Sequence, residues 1–194
     1  MIPALLLVIC VVAYRVAAGL LIHSGASPWL SNFAPFAAIV LCCAAYLPRR
    51  YKFTLPFATL LLSDVILDLN YGAQFFTWHV FGRYLALALV ALLGWALQNR
   101  ASLKTMLPAA LLSSLIFYVF TNAFSWLTDP GYVKSFAGLM QAFSVGLPQY
   151  GATPTWMFFR NSLVSDFIFT VVFVLLMRAE SARARESATL ARAH

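Results

Sequence analysis

Ionisable residues inside long apolar runs are the first feature of this sequence with chemical meaning. Arg15 lies in the run Ile2 to Ile22, Asp64 and Asp68 in Thr54 to Leu69, and Asp166 in Asn161 to Met177, with Arg160 just before it. His79, Arg83 and Tyr84 open the run Trp78 to Leu97, Asn32 heads Phe33 to Leu47, and Asn122 stands near the end of Met106 to Leu127. In lipid, an ionisable side chain costs several kcal/mol unless it is paired or faces a wet cavity, so each of these is a candidate site residue. The chemistry they offer is recognition of a polar solute. Arg15, Asp64 and Asp166 would set the charge of a cavity floor, with Asp68 and Arg160 nearby. Asn32 and Asn122 would donate and accept hydrogen bonds, and His79, Arg83 and Tyr84 would meet the ligand near the mouth. The alternative for Arg15, Asp64 and Asp166 is an ionic knot that only fixes helix packing. His79 is also the one candidate metal ligand, since a neutral imidazole beside aromatic residues suits a transition metal.

Composition says what must hold these residues. In 194 residues, 62% are hydrophobic and 10% charged, with mean hydropathy +0.84. A soluble domain carries about a quarter charged residues, so the sequence predicts an all-α integral membrane bundle. At roughly 20 residues per span, six transmembrane helices fit, and the six runs above are the candidates. Lys and Arg then fix orientation. Arg49, Arg50 and Lys52 follow the second run, Arg100 and Lys104 the fourth, and Arg178, Arg183, Arg185 and Arg192 the last. All three groups fall on one side of a six-span chain, which predicts cytoplasmic termini and a bacterial inner-membrane location. Residues 1–177 form the predicted membrane domain, and residues 178–194 a basic tail that continues the last helix. With this orientation, the intramembrane polar residues gather in the outer half, as around one cavity open to the outside.

Other function classes find no support. The net charge of +7 reports orientation rather than a nucleic-acid surface, and Cys10, Cys42 and Cys43 all lie in apolar runs. Nucleotide-binding loops, zinc-protease pairs and nucleophile elbows are absent, so no enzyme activity and no cofactor of its own are expected. The N-terminal run lacks a basic leader and is interrupted by Arg15, which reads as a retained first span. Leu61-Leu62-Ser63-Asp64 recurs as Leu163-Val164-Ser165-Asp166, either a chance likeness of two Leu-rich spans or a trace of inverted halves. Ala13 and Ala17 on the first span, and Ala34 and Ala38 on the second, have the spacing of close helix approach, within the chain or against a partner.

Asn32-Phe33-Ala34-Pro35-Phe36-Ala37-Ala38, Tyr46-Leu47-Pro48-Arg49-Arg50, Pro56-Phe57-Ala58 leading to Leu62-Ser63-Asp64, and Thr121-Asn122-Ala123-Phe124 with Trp126 resemble a bacterial membrane-protein family without assigned function. That family in turn resembles the substrate-binding S components of energy-coupling-factor vitamin transporters. The resemblance implies capture of a vitamin- or cofactor-sized solute from outside, beneath a lid formed by Gln74 to Arg83 and Thr128 to Arg160. It also implies docking of Ala13 and Ala17 to an energising module that brings the ATPases. His79 would then suit the cobalt of a bound corrinoid, although solitary S-component-like cobalamin transporters usually place cysteine there; other vitamins are the alternatives. The aromatic residues Trp29, Tyr71, Phe75, Phe76, Trp78 and Phe81 would suit a flat ligand or form an interfacial belt. Two rivals stand beside capture: an accessory subunit of a larger membrane complex, and a secondary carrier in which Asp64 or Asp166 takes up a proton.

Overall fold

The computed structural model describes residues 2–23, 33–72, 77–151 and 153–193, and among them the fold is all-α. The helices are α1 (Ile2–His23), α2 (Phe36–Tyr46), α3 (Thr54–Tyr71), α4 (Trp78–Leu97), α5 (Leu103–Thr128), α6 (Phe136–Phe143) and α7 (Thr155–Ala193), with a 3-10 turn at Pro148–Tyr150. Three of them, α4, α5 and α7, are long and apolar enough to cross a membrane. Shorter apolar stretches occur at Leu5–Leu21 and Phe36–Tyr46. The expected bounds hold closely for α1 and α4. Two helices start earlier than their apolar runs. Ser102 and Thr105 form a reciprocal capping box that begins α5 at Leu103 rather than Met106. Helix α7 begins directly after Pro154, whose carbonyl accepts from the Met157 amide at 3.0 Å, so Arg160 and Asn161 lie past its first turn.

The larger departure is α2. The run Phe33 to Leu47 is already short for a full span, and the helix inside it has only 11 residues, about 16 Å of rise against a hydrocarbon layer of about 30 Å. Pro35 precedes it and Leu47 turns to extended backbone ahead of Pro48. Every residue from Ala37 to Ala45 is buried, and α2 packs against α3, α4, α5 and α7. Small side chains allow that central place. At Gly94 of α4, an added Cβ would stand 2.5 Å from the Leu41 carbonyl oxygen, so the two backbones meet where only glycine fits.

A helix that starts inside a bundle leaves amides that water cannot reach. Pro35, at the cap position, has no side-chain acceptor. Asp166 of α7 supplies it instead: Oδ1 accepts from the Ala38 amide at 3.0 Å, and Oδ2 accepts from the Ser114 hydroxyl of α5 at 2.7 Å. One carboxylate thus joins α2, α5 and α7, at the helix end where a negative charge is favoured. Asp166 lies about 16 Å along α7 from Thr155, so α2 begins well inside the bundle.

The basic connections share the opposite end. Lys52 Nζ donates to Gln98 Oε1 at 2.5 Å, joining the α2–α3 and α4–α5 connections, and the Arg178 charge acts on Tyr46 at the end of α2. Helix α7 continues without a break through the basic tail; its 39 residues rise about 58 Å, more than a bilayer requires.

Removing the interior cap has a graded cost. Asp166→Ala leaves a buried amide and a buried hydroxyl without their acceptor and is expected to lower stability by about 2–4 kcal/mol, whereas Asp166→Asn, which keeps one acceptor, loses less. Thermal unfolding of detergent-solubilised protein measures the ranking, and equal stability of all three forms would contradict the capping role.

Candidate functional site

Helix α3 turns Ser63 and Asp64 inward between α1 and α4, burying both. Arg15 Nη2 donates to Asp64 Oδ1 at 2.5 Å, and Arg15 Nη1 donates to the Ser63 hydroxyl. From α4, the neighbours Arg83 and Tyr84 reach the other carboxylate oxygen, Arg83 Nη2 at 2.7 Å and the Tyr84 hydroxyl at 2.9 Å. Ser63 in turn donates to the Leu60 carbonyl at 2.8 Å, and the Arg15 guanidinium lies 4.5 Å from the Phe36 ring centre at the head of α2. Arg15, Asp64, Arg83 and Tyr84, which the sequence singled out from three separate runs, therefore form one cluster. Its charge is unbalanced, because two guanidinium groups share one carboxylate.

A cavity of about 510 Å³ adjoins this cluster. Phe33, Ala34 and Phe36, the approach to α2 and its first turn, line it, because α2 starts too late to fill the space. Arg15, Gly19, Leu67, Tyr71, His79 and Arg83 contribute from α1, α3 and α4, and Phe117, Thr121, Ser125, Phe158 and Ser162 from α5 and α7. Asp64 is not among the lining residues; it stands behind the arginines. His79 borders the cavity, is exposed, and lies 3.3 Å through Nδ1 from the Ser125 hydroxyl. It also borders two further cavities, of about 860 Å³ with Trp78, Phe81 and Tyr84, and about 310 Å³ with Asp129, Tyr132 and Tyr150.

The other expected site residues lie elsewhere. Asn32 is outside the described residues, as are Trp29, Gln74, Phe75 and Phe76. Asp166 was expected on the cavity floor beside Arg15 and Asp64; it is spent instead on the α2 amide and lines no cavity described among these residues. Asp68 is half-buried on α3, one turn beyond Asp64, and does not line the main cavity. Asn122 donates back to the Tyr118 carbonyl at 2.8 Å and borders a side cleft of about 110 Å³. Arg160 donates to Asn161 Oδ1 at 3.0 Å, and its guanidinium lies 5.7 Å from the Trp156 ring centre. Ala13 and Ala17 are exposed on α1, while Ala34 and Ala38 are buried within the bundle. No group of three or more His, Cys, Asp or Glu residues suited to a metal occurs among the described residues.

Sequence reading missed Phe117, Thr121 and Ser125, which recur every four residues along α5, and Phe158 and Ser162, which do the same on α7 before Asp166 and Thr170. Spacing by fours puts each set on one helix face, and that was the signal available. The repeated Leu-x-Ser-Asp segments share a local geometry: Ser63 and Ser165 each donate to the carbonyl three residues earlier, and each aspartate is buried.

The connection after α5 is tightly tied. Asp129 accepts from the Gly131 amide at 2.8 Å and from the Tyr150 hydroxyl at 2.6 Å, while Lys134 donates to the Asp129 carbonyl at 2.6 Å. Trp126 Nε1 donates to the Val133 carbonyl at 3.0 Å, and the Tyr118 hydroxyl donates to the Phe143 carbonyl. Of the other expected lid segment, residues 73–76 are outside the described residues, and His79 to Arg83 belong to the first turns of α4.

The model of a family of unknown function, DUF6580, matches residues 1–188. The chain belongs to that family. No curated protein and no solved structure matches it. Membership in DUF6580 agrees with the resemblance to a bacterial family without assigned function, and it carries no link to energy-coupling-factor transporters.

The Asp129 knot gives a pH test. Burial pushes its carboxyl up, but the bonds from Tyr150 and Gly131, with His79 and Lys134 nearby, outweigh burial and hold it below its ordinary value of 3.8. A carboxyl lowered in the folded state stabilises that state above its unfolded pKa, and the contribution fades as pH falls through the folded value. Hydrogen exchange in residues 129–151 is therefore expected to be slow near neutrality and to gain protection loss, after correction for intrinsic rates, below about pH 4. Asp129→Asn should remove that pH response; an unchanged response would contradict the role of the carboxylate.

Proposed function

We propose that this protein is a six-span bundle of the bacterial cytoplasmic membrane that captures a vitamin- or cofactor-sized solute from the outer side, in the manner of S components. The observation that carries the reading is the cavity of about 510 Å³ walled by two arginines, a histidine and phenylalanines. Sites for drug-sized ligands are about 300–1,000 Å³, mostly apolar, with a few placed polar groups. Its position supports the direction of capture. The cavity lies at the end away from Lys52, Gln98 and Arg178, and an end rich in Lys and Arg faces the cytoplasm.

Short α2 is compatible with six passages. Non-helical backbone is tolerated at membrane depth where protein surrounds it, and α2 is buried along almost its whole length. Both termini are then cytoplasmic, and the basic part of α7 projects into the cell. The exposed Ala13 and Ala17 leave a smooth strip on α1 for an energising module, which would bring the ATPase that this chain lacks. Proton-coupled carriage fits less well, because Asp64 accepts from two arginines and a tyrosine, and Asp166 from an amide and a hydroxyl. A compact vitamin fits the volume better than a corrinoid, which would have to extend into the neighbouring cavities that share His79.

Native mass spectrometry of the protein in lipid nanodiscs, as purified and after exposure to a panel of vitamins and corrinoids, tests the reading. The expected result is one small molecule retained or taken up per chain. A ligand-free protein that binds none of the panel, and that purifies in fixed stoichiometry with another membrane protein, would favour the accessory subunit. Orientation has its own check. In a cysteine-free background, Tyr150→Cys is expected to react with a membrane-impermeant maleimide in intact cells, and Ser187→Cys only after lysis; the reverse pattern would overturn the topology.

A further inference from the structure

Two guanidinium groups against one carboxylate leave a surplus positive charge beside the cavity. Asp64 is the carboxylate that pairs with both Arg15 and Arg83, one oxygen to each. Of the other buried acids, Asp166 is committed to the head of α2 and Asp129 to the Gly131 amide and the Tyr150 hydroxyl, and neither these nor Asp68 line the main cavity. A low-dielectric site strengthens such a surplus, so a charge of the opposite sign is strongly favoured there.

The hydrogen-bond inventory points the same way. Arg83 gives Nη2 to Asp64, but its Nε is buried without a hydrogen-bond partner. Buried donors are nearly always satisfied, and a planar guanidinium presents its remaining donors in a geometry that matches two oxygens at once. Both arginines line the cavity and Asp64 does not, and the Arg83 side chain keeps 27% of its surface exposed against 9% for Asp64, so guanidinium surface other than the buried Nε meets the space a solute would enter. Thr121, Ser125 and Ser162 and the rings of Phe36, Phe117 and Phe158 line the same space, with Phe36 directly against the Arg15 guanidinium.

Resting on the capture reading, we infer that the solute carries an anionic oxygen group, a carboxylate or phosphate, which Arg83 and Arg15 hold, with an apolar or aromatic body against the phenylalanines. Asp64 then has a definite task. It holds two like charges together while leaving one uncompensated, so the ligand's anion completes the balance. A neutral or cationic analogue leaves the surplus in place and binds more weakly.

The test uses the full chain in phosphatidylcholine nanodiscs and a charge series of near-isosteric probes: benzoate, benzamide and benzylamine, and the phenyl phosphate monoester. Binding is read by ligand-observed NMR with competition. Benzoate and phenyl phosphate are expected to bind at least about tenfold more tightly than benzamide, the equivalent of one charge-assisted hydrogen bond, and benzylamine to be excluded. Arg83→Gln should abolish the preference for the acids while leaving benzamide binding in place, and Arg83→Lys should restore part of it. A purely structural arginine would weaken acid and amide alike. If Arg83→Gln does not fold, the wild-type charge series and the Arg83→Lys variant still decide. Equal binding of acid and amide overturns the anionic ligand and leaves capture standing; binding of none of the probes counts against both. Repeating the series with phosphatidylglycerol in the discs separates the sources. Acid binding that persists supports a free solute, and acid binding lost to the lipid assigns the site to a headgroup and overturns the solute.

Discussion

Every backbone amide at membrane depth needs a partner, and Pro35 at the start of α2 offers no side-chain acceptor for one. Asp166 resolves that constraint from another helix, through the Ala38 amide, and the Ser114 hydroxyl holds the carboxylate's second oxygen. The consequence reaches beyond one bond. With its start secured inside the bundle, α2 can be short, fully surrounded and built of small residues, and the volume above its first turn is left to the cavity. The polar interior and the cavity therefore have one cause. Phe33, Ala34 and Phe36 line the cavity because the helix they lead into starts late.

The second charge cluster works differently. Asp166 is used up in holding the fold, its two oxygens occupied by an amide and a hydroxyl. Asp64 gathers Arg15, Arg83 and Tyr84 from two neighbouring helices, and it leaves the cavity wall positive. Packing alone would be served as well by an even pair or by apolar residues of similar volume, which are often at least as stable. An arrangement with two arginines on the cavity side and the acid behind them is better suited to recognition than to packing. The α5–α7 connection, tied through Asp129, Tyr150 and Lys134, then fixes Tyr132 and Tyr150 beside His79, at the margin of the same region.

Much of this was legible in the residues. Apolar runs broken by Pro and charge gave the helices, and the rarity of ionisable residues inside them singled out Arg15, Asp64, Arg83 and Tyr84 before any geometry was known. What could not be read was the division of labour between two identical Ser-Asp pairs. Both were expected at a similar depth, and only packing shows that Asp64 meets arginines while Asp166 meets an amide. That the run Phe33 to Leu47 is short for a span was visible, but its apolar composition did not show that the helix starts only after Pro35, capped from another helix. The hydroxyls of Thr121, Ser125 and Ser162 escaped notice because such residues are common in membrane helices and carry no charge to mark them.

The central claim is that the space above α2 is a solute site with a positive wall. An experimental density map of the protein, purified in zwitterionic detergent from cells grown in vitamin-replete medium, tests it most directly. The account predicts compact, non-lipid density in the cavity beside the stacked Phe36 and Phe117 rings, with its polar end against Arg83 and Arg15. An acyl chain, or ordered water alone, filling that space at full occupancy would contradict it.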